Sequence, residues 1–385
     1  MATQVLFAPP VTRKRKSSFY RPELDVLRFF AFLAVFIFHL PRHTPEFYAA
    51  HGLPRIVGSL INDLMQAGVF GVDLFFVLSA YLITELLLRE KREFGALDVR
   101  GFYLRRILRI WPLYFFFIGL AALVPVLNPN HVFTWRHVAA FLLLGGNWSI
   151  IAFGWPSPSV VMPLWTVSIE EQFYLLWPPI VRKLSGQRIT AAAVAMLIIS
   201  NLTRIAMVAI HGGPTSVWCN TLGRLDPIAA GILVAGLLNS RLPDLRPGSR
   251  VVLASTGLFA LVLVARNWRI NGPDTLDWVP TLVGYPVVGA ACTAIMLSTL
   301  GMGGKLPKSL VYLGKISYGL YVYHALGNFI ADKVITTQSV LIRLIARIPV
   351  ALGVTVVLAA LSYSFLEKPF LRLKERFAHV KSRPI

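Results

Sequence analysis

The sequence predicts an all-α integral membrane protein of about ten transmembrane helices with both termini in the cytoplasm. Three observations carry that prediction. Of 385 residues, 56% are hydrophobic and only 15% charged, and a mean hydropathy of +0.64 belongs to a chain dissolved in lipid rather than to a soluble core. The apolar residues fall in runs of roughly twenty, the length a helix needs to cross about 30 Å of hydrocarbon. The formal charge is +20, and most of the 38 Lys and Arg residues cluster in short connections on one side of those runs, as the positive-inside rule requires. In a soluble chain such an excess would suggest nucleic acid. Here it sets topology, and no nucleic-acid partner is expected.

The elements follow in order. A basic tail, 1–20, holds RKRK at 13–16 and leads into the first run, 23–42. No small-residue cleavage site follows His39, so the run reads as an uncleaved anchor. Further spans are expected at 68–88, 108–127, 161–182, 189–211, 221–238, 250–266, 279–300, 310–332 and 344–366. Many Trp and Tyr flank them, as interfacial belts require. The stretch 137–146 (HVAAFLLLGG) is apolar but too short to cross, and reads as re-entrant or interfacial. With the N-terminus inside, the basic 89–107 connection lies in the cytoplasm, and the 44–66 and 267–278 loops lie outside. The membrane domain is expected to fill 21–370, and a second basic tail fills 371–385. Cys219 then falls in an outer loop and Cys292 within a span, so no disulfide is expected between them. No zinc-type cluster, haem motif, nucleophile elbow or Gly-rich phosphate loop is present, so neither a resident metal nor a nucleotide cofactor is expected.

Ionisable residues inside spans are costly and mark function by default. Arg28 and His39 share the first run, RPELDVLRFFAFLAVFIFHLP. Eleven positions separate them, which on a helix is about three turns, roughly 16 Å, and nearly the same face. One side chain would lie near one membrane surface and the other deep in the protein, an arrangement suited to a long ligand that enters at one end and reacts at the other. A neutral imidazole can accept a proton from a hydroxyl, and a carboxylate can orient it; Asp73 or Glu170 fits that part. Glu171, Arg204, Arg224, Asp226, Tyr321, His324 and Glu367 are the remaining candidates for substrate or supporting roles. Each has a plainer reading: Asp73 would neutralise Arg204 or Arg224, Glu170 or Glu171 would link helices, His324 would be a satisfied buried histidine, Glu367 would pair with Lys368, and Arg105, Arg106 and Arg109 would be topology anchors.

Taken together, the motifs resemble the acyltransferase-3 family of multi-pass membrane O-acyltransferases. RPELDVLRFFAFLAVFIFH resembles the first helix of that family, with its Arg-x10-His pattern at Arg28 and His39. GVFGVDLFFVLSAYLIT resembles its second-helix signature, with Ser79-Ala80 where Ser-Gly is usual. FYLRRILRIWPLYF, LWTVSIEEQFYLLWP, LGKISYGLYVYH and SYSFLEKPF resemble its remaining blocks, in the right order. The resemblance implies transfer of an acyl group, often acetyl, from cytoplasmic acyl-CoA as co-substrate to a hydroxyl of an envelope glycan, exopolysaccharide or secreted glycoside, in a bacterial inner membrane. It implies that Arg28 and His39 form the central pair, and that Arg105, Arg106 and Arg109, with Lys315, meet the CoA phosphates; arginine forks match phosphate geometry. The chain ends soon after Glu367, so the C-terminal hydrolase-like domain of some relatives is not expected, and a two-step transfer would need separate glycan-assembly partners. The rival reading is a transporter whose buried His, Asp, Glu and Arg form a proton or substrate pathway. A clean inverted repeat would favour it, and none is evident.

Overall fold

The computed structural model describes residues 19–127, 133–157, 159–268, 270, 276–304, 306–337 and 340–377. The expected tails fall outside it over 1–18 and 378–385, as does part of the expected 267–278 loop. The described residues are helical, with no strand among them. The helices are α1 (Pro22–Phe38), α2 (Pro45–Ala50), α3 (Arg55–Ala67), α4 (Gly71–Phe94), α5 (Val99–Leu127), α6 (Trp135–Leu142), α7 (Gly146–Phe153), α8 (Leu164–Lys183), α9 (Gly186–Ala209), α10 (Thr215–Trp218), α11 (Leu225–Leu238), α12 (Pro247–Asn267), α13 (Tyr285–Thr299), α14 (Lys308–Lys315), α15 (Ser317–Val334), α16 (Val340–Ser362) and α17 (Lys368–Lys374).

Each of the ten predicted runs contains a helix, but six helical stretches are long and apolar enough to cross a membrane: Arg55–Phe94, Val99–Val124, Gly186–Ala209, Pro247–Asn267, Pro280–Thr299 and Ile345–Phe377. The other four runs hold α1, α8, α11 and α15. Helices α1 and α11 have 17 and 14 residues, whereas α8 and α15 carry several charged or polar side chains. These helices are packed against protein, and protein contacts can satisfy what lipid cannot. The 44–66 segment is not a simple loop. It forms α2 and α3, and α3 continues into α4 through a 3₁₀ turn at Gly68–Phe70. The apolar stretch 137–146 lies across α6 and the start of α7, each eight residues long, about 12 Å and too short to cross.

Helix α1 packs against α4, α14 and α15, and α11 packs against α4, α9 and α13. Small residues allow this close approach, as in other membrane bundles. A methyl group on Gly314 would fall 1.8 Å from the Asp25 carbonyl oxygen, and one on Gly231 would fall 2.4 Å from that of Val77. These contacts fix the α1–α14 and α4–α11 spacings, and with them the height of every side chain on α1.

The C-terminal half of α8 needs partners because Pro178 and Pro179 lie within it. Pro179 cannot donate to the carbonyl of Leu175, and the Tyr103 hydroxyl donates to that oxygen at 2.7 Å. Lys91 Nζ closes the end of the helix, donating to the carbonyls of Val181, Arg182 and Leu184 at 3.1, 3.2 and 2.6 Å. A cation there also complements the helix dipole.

Gly314→Ala is expected to destabilise the detergent-solubilised protein by about 1–3 kcal/mol through overpacking. Gly119→Ala, where nothing lies within 4 Å of the new methyl, is expected to cause no loss. Thermal melting of the two variants checks the contrast.

Candidate active site

Faces of five helices, α1, α4, α5, α8 and α15, meet around a line of three cavities. At one end, Arg28 of α1 and Arg106 and Arg109 of α5 line two adjoining cavities of about 70 Å³ each, together with Ser79 of α4 and Tyr174 of α8. Helical spacing explains the grouping, since Arg106 and Arg109 are three residues apart and share a face. Arg106 stacks on the rings of Phe102 and Tyr174, each 5.4 Å from its guanidinium carbon. The buried Nε atoms of Arg28 and Arg106 have no hydrogen-bond partner. Cations held so close, with donors left over, form a receptor for an anion.

The middle cavity is lined along α8 by Thr166, Glu170 and Tyr174, one stripe at four-residue spacing. The Tyr174 hydroxyl donates to Glu170 Oε2 at 3.2 Å. Thr166 Oγ1 donates to the carbonyl of Pro163 at 2.9 Å. Its single proton is thereby spent, so the Tyr321 hydroxyl is the donor in the 2.9 Å bond to Thr166 Oγ1. Tyr321 and Val72 line both this cavity and the third.

The third cavity, about 650 Å³, contains His39 of α1 and His324 of α15. Their ring centroids are 4.8 Å apart. His39 Nδ1 lies 2.8 Å from the carbonyl of Val35, and His324 Nδ1 lies 2.5 Å from that of Tyr321. A carbonyl only accepts, so each Nδ1 carries the proton, and in the neutral ring Nε2 holds the lone pair. His39 remains accessible because it lines a cavity. It caps the C-terminus of α1, and the carbonyl of Val35 accepts both its backbone N–H, at 3.2 Å, and its ring Nδ1–H.

This geometry redistributes the expected carboxylates. Asp73 does not orient His39; it pairs with Arg224 at 3.0 Å, both side chains buried. Glu170 lines the middle cavity and not the histidine chamber. Asp226 accepts both terminal nitrogens of Arg204, at 2.5 and 2.9 Å, and a bond from Ser200 Oγ at 2.6 Å. The charges of Asp73, Arg204, Arg224 and Asp226 therefore neutralise one another in the core, outside the lining of the three cavities. Glu171 accepts from Trp111 Nε1 at 2.9 Å, and Glu367 from Ser362 Oγ at 3.4 Å. Arg105 separates from its neighbours: it pairs with Glu90 at 3.0 Å and donates to the carbonyl of Phe377 at 2.6 Å. Lys315 lies over the Tyr363 ring, 5.7 Å from its centroid, outside the lining of the three cavities.

Thr166, Tyr174 and three tryptophans, Trp155, Trp165 and Trp218, join the lining without having been singled out in the sequence. Thr166 and Tyr174 stand four residues either side of Glu170, a signal that helical spacing could have supplied. Trp155 and Trp218 come from separate connections, and no local pattern unites them.

An all-helical bundle with apolar spanning helices, two histidines facing one cavity and a cluster of arginines facing the cavities at the other end defines a multi-pass membrane protein with an internal site. The chain belongs to the acyltransferase-3 family: the family model described as an acyltransferase domain matches residues 21–366. It is 29% identical to the putative O-acetyltransferase of Staphylococcus aureus strain MSSA476 over 93% of this chain and 58% of that protein. It is 28% identical to the putative peptidoglycan O-acetyltransferase of Bacillus subtilis strain 168 over 91% of this chain and 55% of that protein. It is 26% identical to the peptidoglycan O-acetyltransferase of Listeria monocytogenes over 92% of this chain and 56% of that protein. The chain thus spans little more than half the length of these curated relatives. No solved structure matches it.

The two adjacent arginines should behave differently when neutralised. Arg105→Gln strands Glu90 and is expected to cost about 3–5 kcal/mol of stability, as breaking a buried pair does. Arg106→Gln, which removes an unpaired cation from a cavity wall, is expected to cost less. Melting of the two purified variants distinguishes them.

Proposed function

We propose that this protein moves an acyl group, acetyl in the first instance, from acyl-CoA bound at the arginine end of the passage to a saccharide hydroxyl at the histidine end. The observation that carries this reading is the succession of three cavities whose walls share residues. The first two share Arg28, Arg106, Arg109, Ser79 and Tyr174, and the second and third share Val72 and Tyr321. Arg28 and His39 mark the two ends on a single helix, about 16 Å apart along its axis. The nucleotide phosphates of CoA would sit among Arg28, Arg106 and Arg109, and the pantetheine arm would run past Glu170 toward Tyr321.

At the far end, His39 Nε2 takes the proton of the acceptor hydroxyl as its oxygen attacks the thioester carbonyl. The C–S bond breaks, and the CoA thiolate leaves and receives the proton from the imidazolium. The ester remains on the sugar. Val35 fixes the imidazole in the tautomer that this step requires.

The names of the relatives point to peptidoglycan or a similar envelope glycan as acceptor. The arginine end would face the cytoplasm, with both termini there, about ten spans in the membrane and the protein in a bacterial inner membrane. The wider distribution of basic residues supports that orientation. Separate glycan-assembly proteins would supply or carry onward the acceptor.

The test is turnover by purified protein, with release of CoA thiol and acetylation of soluble glycan fragments both followed. His39→Ala is expected to lower kcat by about 10²–10⁴-fold. Arg106→Gln or Arg109→Gln is expected to raise the KM for acyl-CoA by about ten-fold, with a smaller effect for a donor truncated to its pantetheine arm. Normal turnover in well-folded His39→Ala protein overturns the assignment. Movement of glycan across a vesicle membrane without thioester consumption would favour the transporter.

A further inference from the structure

The wall of the histidine chamber has a composition that the transfer step alone does not require. Its lining includes Trp155, Trp165 and Trp218, with Phe38 and Tyr321, and among the described residues contains no Asp, Glu, Lys or Arg. The three indoles form a chain: Trp155 and Trp165 lie 6.3 Å apart and edge-on, and Trp165 and Trp218 lie 6.1 Å apart. Trp165 and Trp218 are only 6% and 8% exposed, so the surface that they retain is given to the cavity.

The indole N–H groups of the buried Trp165 and Trp218, and of the exposed Trp155 at the rim, differ from those of Trp111 and Trp177. Trp111 Nε1 donates to Glu171 and Trp177 Nε1 donates to Thr84, each at 2.9 Å. No hydrogen bond within the described residues engages the N–H of Trp155, Trp165 or Trp218. A buried indole ordinarily finds a partner for its N–H, and those of Trp165 and Trp218 are left available to a ligand in the chamber.

Trp218 is also held from behind. The Arg224 guanidinium, which does not line the chamber, lies 4.2 Å from the centroid of its ring. Asp73 fixes that guanidinium at 3.0 Å. The Asp73–Arg224 pair therefore acts as a brace for one indole of the wall.

We propose that Trp165 and Trp218, with Trp155 at the rim, form the acceptor subsite and hold a neutral pyranose ring through its apolar C–H face. Aromatic faces carry negative charge density and attract the weakly positive C–H groups of such a ring, while the vacant N–H groups, Thr215 and Asn328 are positioned to meet its hydroxyls. A chamber of about 650 Å³ lies within the roughly 300–1,000 Å³ usual for ligand pockets. The absence of charged side chains from the wall disfavours an anionic sugar, which would lose its hydration without gaining a counter-charge. This subsite rests on the acyltransferase reading for its role, but not for its binding.

The test is calorimetric titration of the detergent-solubilised protein with two probes, the neutral tetramer of β-1,4-linked N-acetylglucosamine and the anionic tetramer of galacturonic acid. The native protein is expected to bind the neutral tetramer at least ten-fold more tightly. Trp218→Ala and Trp165→Ala are expected to weaken that binding by about ten-fold each, an aromatic contact's share. Trp218→Phe, which keeps a ring, is expected to lose less than Trp218→Ala, and so separates stacking from collapse of the wall. Failure of the native protein to bind the neutral tetramer overturns the subsite, as does equal binding of the anionic one or binding unmoved by both alanine variants. Tryptophan-dependent binding without acyl transfer would count against the acyltransferase reading while supporting the subsite. Transfer indifferent to both tryptophans would do the reverse.

Discussion

A charge inside a helical bundle must be neutralised or must face a cavity, because lipid offers it no solvation. That constraint sorts the ionisable side chains into two sets. Asp73 with Arg224, Arg204 with Asp226, and Arg105 with Glu90 form close ion pairs among buried groups. Breaking such a pair is costly because the remaining partner stays buried. Arg28, Arg106 and Arg109 instead turn to a cavity, as His39 does at the other end. The paired set builds the frame, and the cavity-facing set is what a ligand can use. The same division explains why α8 and α15 fall short of a typical spanning helix: their polar residues point into protein or cavity.

Helix contacts translate this sorting into geometry. Close passage of α1 against α14 at Gly314, and of α4 against α11 at Gly231, leaves no slack for sliding. The α8 stripe of Thr166, Glu170 and Tyr174 lines the middle cavity, whose other walls include Arg28 of α1 and Val72 of α4. Tyr103 and Lys91 satisfy the carbonyls that the proline pair and the helix end leave open, so α8 keeps its position although its last turns are poor helix by sequence.

Much of this was legible in the chain before its fold was known. Runs of apolar residues gave the helices, and the Arg28–His39 spacing on one helix gave the two ends of the passage. Periodicity could not say which arginine of Arg105, Arg106 and Arg109 would find a carboxylate, because Glu90 lies on a different helix. Nor could it choose between a carboxylate and a main-chain carbonyl as the partner of His39. The placement of Asp73 was undetermined for a similar reason: two buried arginines, Arg204 and Arg224, and two acids, Asp73 and Asp226, offered more than one neutral pairing, and only packing of α4 against α11 selected Arg224. The tryptophan wall was out of reach, since it is assembled from connections distant in sequence. His324 was visible as a residue but not as the neighbour of His39.

The two ends of the passage are built from different kinds of chain. Arg28, Arg106 and Arg109 stand on long helices whose neighbours fix them, whereas Trp155 and Trp218 belong to a connection and a four-residue helix. Connections tolerate exchange and insertion far better than packed helices. Substitutions at a few loop positions can therefore reshape the tryptophan wall, while the arginine cluster stays fixed by its packed helices. Divergence in this architecture is cheap at one mouth and expensive at the other.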